Sequence, residues 1–128
     1  MSSRHTFQFG NLELMDTYAV VTCNEGVVID ILEVEAVQKV LATAYSGKRF
    51  GLIANRVNLY STNPLAVKKL FILEGLVAGA IVDLSAKAKI IAELEAMIIG
   101  VEPIKYFEDM VRAVKWIESV VREGSDAQ

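Results

Sequence analysis

The alternation of hydrophobic and polar positions changes period along the chain, and the changes mark out its elements. Thr6 to Phe9 alternate polar and aromatic, with Phe7 and Phe9 on one face. After Gly10-Asn11 the alternation resumes with Leu12 and Leu14 around Glu13. Two alternating runs about a Gly-Asn dipeptide predict a β-hairpin. Asp16-Thr17 gives a second turn into the β-branched run Tyr18–Cys23, which ends at Asn24-Glu25-Gly26. The first quarter therefore reads as an antiparallel meander.

The period then lengthens. Val37, Val40, Leu41 and Ala44 recur at helical spacing, with Asp30 as the N-cap and Ser46-Gly47 as the stop. Phe50–Asn55 is a short apolar strand. Asn63-Pro64 opens a helix running to about Glu74, with Pro in the first turn where its missing N–H costs nothing. Val77–Leu84 is a strand with apolar or small residues on both faces, the pattern of a strand covered on both sides. Ser85 caps a helix carrying Ile90, Ile91, Leu94 and Met97, which Gly100 and Pro103 break. Ile104–Phe107 is a last short strand. Met110, Val111, Val114, Ile117 and Val121 stripe a final helix, after which Glu123-Gly124-Ser125-Asp126 frays into a polar tail.

The order β-β-β-α-β-α-β-α-β-α predicts right-handed crossovers and an α/β fold with a largely parallel sheet. No repeat or linker divides the chain, so a single domain is expected over residues 1–128, with an ordered core at about 6–122. Its 128 residues suffice for one sizeable core. At 53% hydrophobic and a mean hydropathy of +0.38, the chain is more apolar than a lone monomer comfortably hides. That excess points first to a subunit interface, hence a homodimer, and second to a lipid pocket.

Composition and charge remove several function classes. Disorder is excluded by the apolar content. A net charge of -3 without a Lys/Arg run speaks against broad electrostatic binding of nucleic acid. The longest apolar stretch, Leu70 to Leu84, is interrupted by Glu74 and Asp83 and is too short to cross a bilayer, so no membrane insertion is expected. A lone cysteine allows no internal disulfide, and Met-Ser-Ser-Arg-His-Thr has no apolar targeting core. The expected location is cytoplasmic.

The most chemically interesting stretch follows the strand Phe50–Asn55, at the end where α/β sheets place ligand crevices. Asn55, Arg56, Asn58, Ser61, Thr62 and Asn63, beside a helix N-terminus, form a candidate ligand or anion site. Helix capping, with Arg56 pairing a carboxylate, accounts for the same residue types. Glu25 is a further candidate that would face Arg56, or else belongs to a turn whose backbone requires Gly26. Cys23 and His5 are the only thiol and imidazole. Neither has spaced partners for a zinc site or a third group for nucleophilic catalysis, so no metal, cofactor or enzymatic activity is expected. The carboxylate pairs Glu33/Glu35, Glu93/Glu95 and Glu108/Asp109 fall at helical spacings that do not share a face. Trp116, slightly off the stripe of the last helix, is a core-edge residue or a candidate interface anchor.

A meander ending in Asn24-Glu25-Gly26, a helix, the string Phe50-Gly51-Leu52-Ile53-Ala54-Asn55-Arg56 and a Pro-started helix together resemble the STAS-like, or SpoIIAA-like, proteins. Within them the chain looks most like the bacterial STAS/SEC-fourteen branch. The resemblance spans about residues 6–122 and rests on element order and short strings. It implies a SpoIIAA-like β/α superhelix, with an N-terminal antiparallel meander leading into a mixed, largely parallel sheet and four helices mainly on one face. It also implies a non-enzymatic regulatory or protein-interaction module, acting on itself as a homodimer or on another regulatory protein. The related CRAL-TRIO group encloses lipids, so a small-molecule or lipid carrier is the alternative. Antagonists of this family carry an Asp-Ser-Ser-Gly segment with a phosphorylated serine at a strand-to-helix junction. Ser61 and Thr62 lie at the matching junction and are the candidate phospho-acceptors, without the preceding Asp or the following Gly.

Overall fold

In the computed structural model, residues 3–83 and 103–126 are described, together with 90, 93, 94, 97, 98 and 100. The main sheet contains β1 (Ser3–Phe7), β2 (Gly10–Leu14), β3 (Tyr18–Cys23), β5 (Phe50–Asn55), β7 (Leu76–Val82) and β8 (Ile104–Phe107), in the order β1-β2-β3-β5-β7-β8. The pairs β1–β2 and β2–β3 are antiparallel, whereas β3–β5, β5–β7 and β7–β8 are parallel. The meander therefore does lead into a parallel sheet. Two further strands that the periodicity does not reveal, β4 (Val28–Ile29) and β6 (Ser61–Thr62), form a separate parallel ribbon. The helices delimited among the described residues are α1 (Ile31–Tyr45), α2 (Pro64–Leu70) and α3 (Met110–Asp126).

Gly10-Asn11 is not the hairpin turn. Phe7 pairs with Gly10, so Gln8-Phe9 makes the connection and Gly10 begins β2. Gly10 is required for another reason: a Cβ there would stand 2.2 Å from the Thr22 carbonyl oxygen and 2.8 Å from the Cys23 Cα. The dipeptide lets β3 approach closely. It does not reverse the chain.

Local signals at the helix ends hold. The Asp30 side chain accepts from the Ile31 N–H at 2.8 Å, and the Asp30 N–H donates to Glu33 Oε1 at 2.8 Å, closing a capping box. Ser46 ends α1 in the left-handed region at φ 48°, with Gly47 after it. Asn63 caps α2 by accepting from the Leu65 N–H, and Pro64 follows in the first turn. This helix stops at Leu70, short of the expected Glu74, because the chain must turn at Gly75 (φ 94°) into β7. Arg49 Nε and Nη2 donate to the carbonyls of Val121 and Val120, placing a cation near the C-terminal end of α3. With that support α3 continues to Asp126, where the sequence suggested fraying from Glu123.

The helices do not gather on one face. Leu12, Ala19, Cys23 and Leu52 pack with Val34, Val37, Leu41 and Tyr45 of α1 and Ala66 and Leu70 of α2. On the opposite face Val20, Ile53, Ala78, Ala80 and Val82 pack with Ala113, Ile117 and Val121 of α3. Strand alternation is the reason: β3, β5 and β7 are apolar at both odd and even positions, so each face needs cover. α1 turns Tyr45 inward where Ala44 was expected, and Ala44 is exposed. The Tyr45 ring stacks on Phe50 at 4.2 Å. Its hydroxyl lies 2.8 and 2.7 Å from the carbonyls of Met15 and Tyr18, between which its proton is shared.

The fourth expected helix, with its Ser85 cap and Ile91, lies largely outside the described residues. Positions 90, 93, 94, 97 and 98 are helical. Of the expected apolar stripe, Ile90, Leu94 and Met97 are exposed at 62%, 54% and 76%, and Ile98 is exposed at 55%.

Candidate functional site

A pocket of about 110 Å³ opens at the carboxyl ends of the parallel strands, on the face that α1 and α2 cover. Its centre is a row of three paired residues across the sheet: Val21 of β3 opposite Ala54 of β5, and Ala54 opposite Ile81 of β7. Ala54 is the small member of that row. α2 is only seven residues long and brings Val67 and Leu70 to the pocket wall. A short side chain beneath a short helix leaves space that a Leu or Phe would fill. Val34 and Val37 of α1 and Ile29 of β4 close the far side, so the buried part of the lining is apolar. Phe9, Ala54, Arg56, Tyr60, Thr62 and Ile81 are half-buried lining residues, while Cys23, Ile29, Val34, Val37, Leu52 and Leu70 are buried.

The sequence-derived candidates divide into three groups. Arg56 and Thr62 line the pocket. Asn58 and Asn63 bind structure: Asn58 Nδ2 donates to the Cys23 carbonyl at 3.0 Å, fastening the loop after β5 to the end of β3. Asn63 Nδ2 donates to Asp30 Oδ1 at 3.1 Å, joining the caps of α1 and α2. Ser61 and Glu25 are exposed, Ser61 within β6 and Glu25 in the turn before β4. Asn55 ends β5 opposite Val82 and is half-buried. The N-termini of α1 and α2 thus already hold the Asp30 carboxylate and the Asn63 amide.

Arg56 is braced by its own loop. Its N–H donates to the Val82 carbonyl at 2.9 Å, and Nη2 donates to the Tyr60 carbonyl at 3.2 Å. The guanidinium carbon lies 4.8 Å from the centroid of the Tyr60 ring, a cation–π contact that fixes both side chains at the rim. Burial pushes the Cys23 thiol up to about 11, against the smaller opposing effects of a hydrogen bond with Tyr60 and the Arg56 charge. Cys23 is therefore a neutral lining group at physiological pH, and His5 lies apart from it on β1, opposite Leu12 and 4.8 Å from the Phe7 ring. Among the described residues no group of three or more His, Cys, Asp or Glu side chains could hold a metal ion. No helix among them is long and apolar enough to cross a membrane.

Tyr60 and the row Val21–Ala54–Ile81 were not among the residues singled out from sequence. The available signal was a small residue near the end of an apolar strand, followed two positions on by an arginine. Trp116 packs half-buried beside Phe107, ring centroids 5.6 Å apart, with Lys105 Nζ 5.7 Å from its centroid. It edges the α3 side of the core, away from the pocket.

No family model matches this chain, and no curated protein matches it. Among solved structures it is similar to the crystal structure of an uncharacterised protein from the DUF3478 family with a SpoIIAA-like fold, from Shewanella loihica PV-4. That match has a TM-score of 0.55 at 14% sequence identity and covers 91% of this chain and 92% of that one. At this identity the likeness speaks to fold, and it agrees with the antiparallel-then-parallel sheet and its helices: the chain has a SpoIIAA-like fold.

Proposed function

We propose that the chain is a single-domain, non-enzymatic binding module that takes a small, mainly apolar molecule into the pocket beside Arg56. The observation that carries this reading is the pocket itself: an apolar floor built across three parallel strands, with polar groups confined to the rim. Ligand sites commonly combine these two features and lie at this end of such sheets. The volume favours a small ligand over a membrane lipid, because drug-sized sites begin at about 300 Å³. Titrating isotope-labelled protein with benzene tests the reading, since a dry apolar cavity of about 150 Å³ accepts that molecule. Chemical-shift changes should centre on Cys23, Leu52 and Ala54, and Ala54→Phe should abolish them while leaving the protein folded. Changes scattered over the surface, or unchanged in Ala54→Phe, would remove the proposal.

A second reading, a homodimeric interaction module, is favoured by a different observation. Ile90, Leu94, Met97 and Ile98 are exposed at spacings that share one helical face. A second copy of the chain is the proposed cover, in a cytoplasmic setting. Trp116 has less support as an interface anchor, because it already packs on Phe107; Ser61, exposed within β6, and Thr62 beside it stay candidate phospho-acceptors.

A further inference from the structure

We infer that two copies of the chain exchange contacts, the stripe Ile90, Leu94, Met97 and Ile98 of each seating in a groove along α1 of the other. The inference rests on the homodimer reading above and adds the surface that receives the stripe.

A broad open groove of about 730 Å³ lies between α1 and Leu73, which follows α2. Leu32, Ala36, Lys39 and Ala42 recur on one side of α1 at three- and four-residue spacing and line it from end to end. At about 1.5 Å per residue the groove runs about 15 Å and the stripe about 12 Å, so the stripe fits along it. Ala36 and Ala42 put only methyl groups in the way of a guest helix, which suits axes about 8–10 Å apart. Charge favours the same match. Glu35 pairs with Lys69 at 3.3 Å, and Gln38 Nε2 donates to the Lys69 carbonyl at 2.9 Å, so these groove residues are committed within the chain. The Lys39 ammonium makes no ion pair among the described residues. Glu93 is exposed and borders the stripe, three residues after Ile90 and four before Met97. The apolar contact supplies the affinity, and a rim pair of Glu93 with Lys39 sets its register. Stripe-to-stripe pairing lacks this match. In an antiparallel helix pair about a two-fold axis the same flanks meet, which sets the two Glu93 carboxylates against each other. Topology allows the exchange. β3, β5, β7 and β8 lie side by side in that order and pair in parallel, so right-handed crossovers carry α1, α2 and the stripe over one face of the sheet. Two such layers meeting about a two-fold axis over α2 bring each stripe to the other's groove, and the paired contacts close the dimer.

Light scattering over a dilution series, on the intact chain and its variants, tests the inference. Ala42→Trp fills the groove from an exposed position of α1 and should give a monomer, as Leu94→Glu should at the stripe. Circular dichroism checks that both stay folded. Mixing these two monomers should restore association, weaker than in the wild type, because the intact stripe of one meets the intact groove of the other. The exposed charge pair carries the test without the Trp. Lys39→Glu and Glu93→Lys should each raise the dissociation constant about tenfold at low salt, and the double variant should recover most of that loss. A folded Ala42→Trp variant that dimerises as tightly as the wild type, beside a monomeric Leu94→Glu, would overturn the groove assignment and leave the homodimer reading standing. So would a mixture that stays monomeric, or a double charge variant no tighter than either single one. A wild-type chain that stays monomeric at micromolar concentration would overturn the homodimer reading, and the inference with it.

Discussion

Cys23 shows how a side chain with reactive potential becomes a packing element. It lies in β3 against the α1 and α2 core, only 3% exposed, and burial in apolar surroundings disfavours the thiolate. Raised from its ordinary value of 9.0 to about 11, it is a protonated and therefore weak nucleophile at neutral pH. The same shift sets a stability window. Above pH 9 the unfolded chain releases this proton while the native state keeps it until about pH 11, so the native state binds more protons in between. Its contribution is complete below pH 9 and is lost as pH rises towards 11. Tyr45, raised to about 12 from 10.0 mainly by burial, adds a loss at still higher pH. Urea denaturation should give constant stability from these groups up to pH 8.5, then a fall attributable to Cys23 of no more than about 2 kcal/mol between pH 9 and 11. Cys23→Ala should flatten that part of the profile and leave the later Tyr45 part. An identical profile in the variant would refute the assignment.

Between strands and helices, close approach is governed by residues whose role appears only in three dimensions. Gly51 lets α3 lie on β5: a Cβ there would stand 2.4 Å from Ile117 Cγ2 and 2.8 Å from its Cδ1, and Ile117 is wholly buried. Gly51→Ala should therefore destabilise the protein by about 1–3 kcal/mol through overpacking. The cost should shrink in an Ile117→Ala background, giving a coupling energy measurable by urea denaturation of the four proteins in the cycle. Strict additivity would place the strain elsewhere. Such contacts mark the limit of what sequence reveals. The caps at Asp30, Ser46 and Asn63 are legible because their partners lie within four residues. Gly10 was misread as a turn because its reason for being glycine sits on β3, 12 residues away at Thr22. The ribbon of β4 and β6 escaped because two-residue strands carry no period, and their pairing depends on the whole α1–β5 crossover. The candidate site was legible at Arg56 and Thr62 from their place after a parallel strand. That an apolar pocket, expected only as a lipid site without a place, lies beside them was not, since its walls come from the meander, α1, β5, α2 and β7 together.

For the molecule as a whole, the apolar excess now has a different location. Both faces of the sheet are covered by the chain's own helices, α1 and α2 on one side and α3 on the other, so the sheet does not ask for a second subunit. The pocket accounts for little of the excess. Twelve large hydrophobic residues stay exposed among the described residues, and four of them, Ile90, Leu94, Met97 and Ile98, form a helical stripe spaced by four, three and one residues. Covering each such side chain is worth about 1.5–3 kcal/mol, and four together repay much of the cost of associating two copies. The homodimer reading thus makes a definite demand. Light scattering after size exclusion at micromolar concentration should give twice the chain mass of 14.1 kDa. Added salt should leave that mass unchanged, because the contact is apolar and not ionic. Leu94→Glu should convert the species to a folded monomer, since a carboxylate at the centre of the stripe would be desolvated without a partner. The variant should still bind benzene, because Leu94 lies outside the pocket lining. A wild-type mass of 14.1 kDa across that concentration range would end the homodimer reading and leave the pocket as the working surface of the protein.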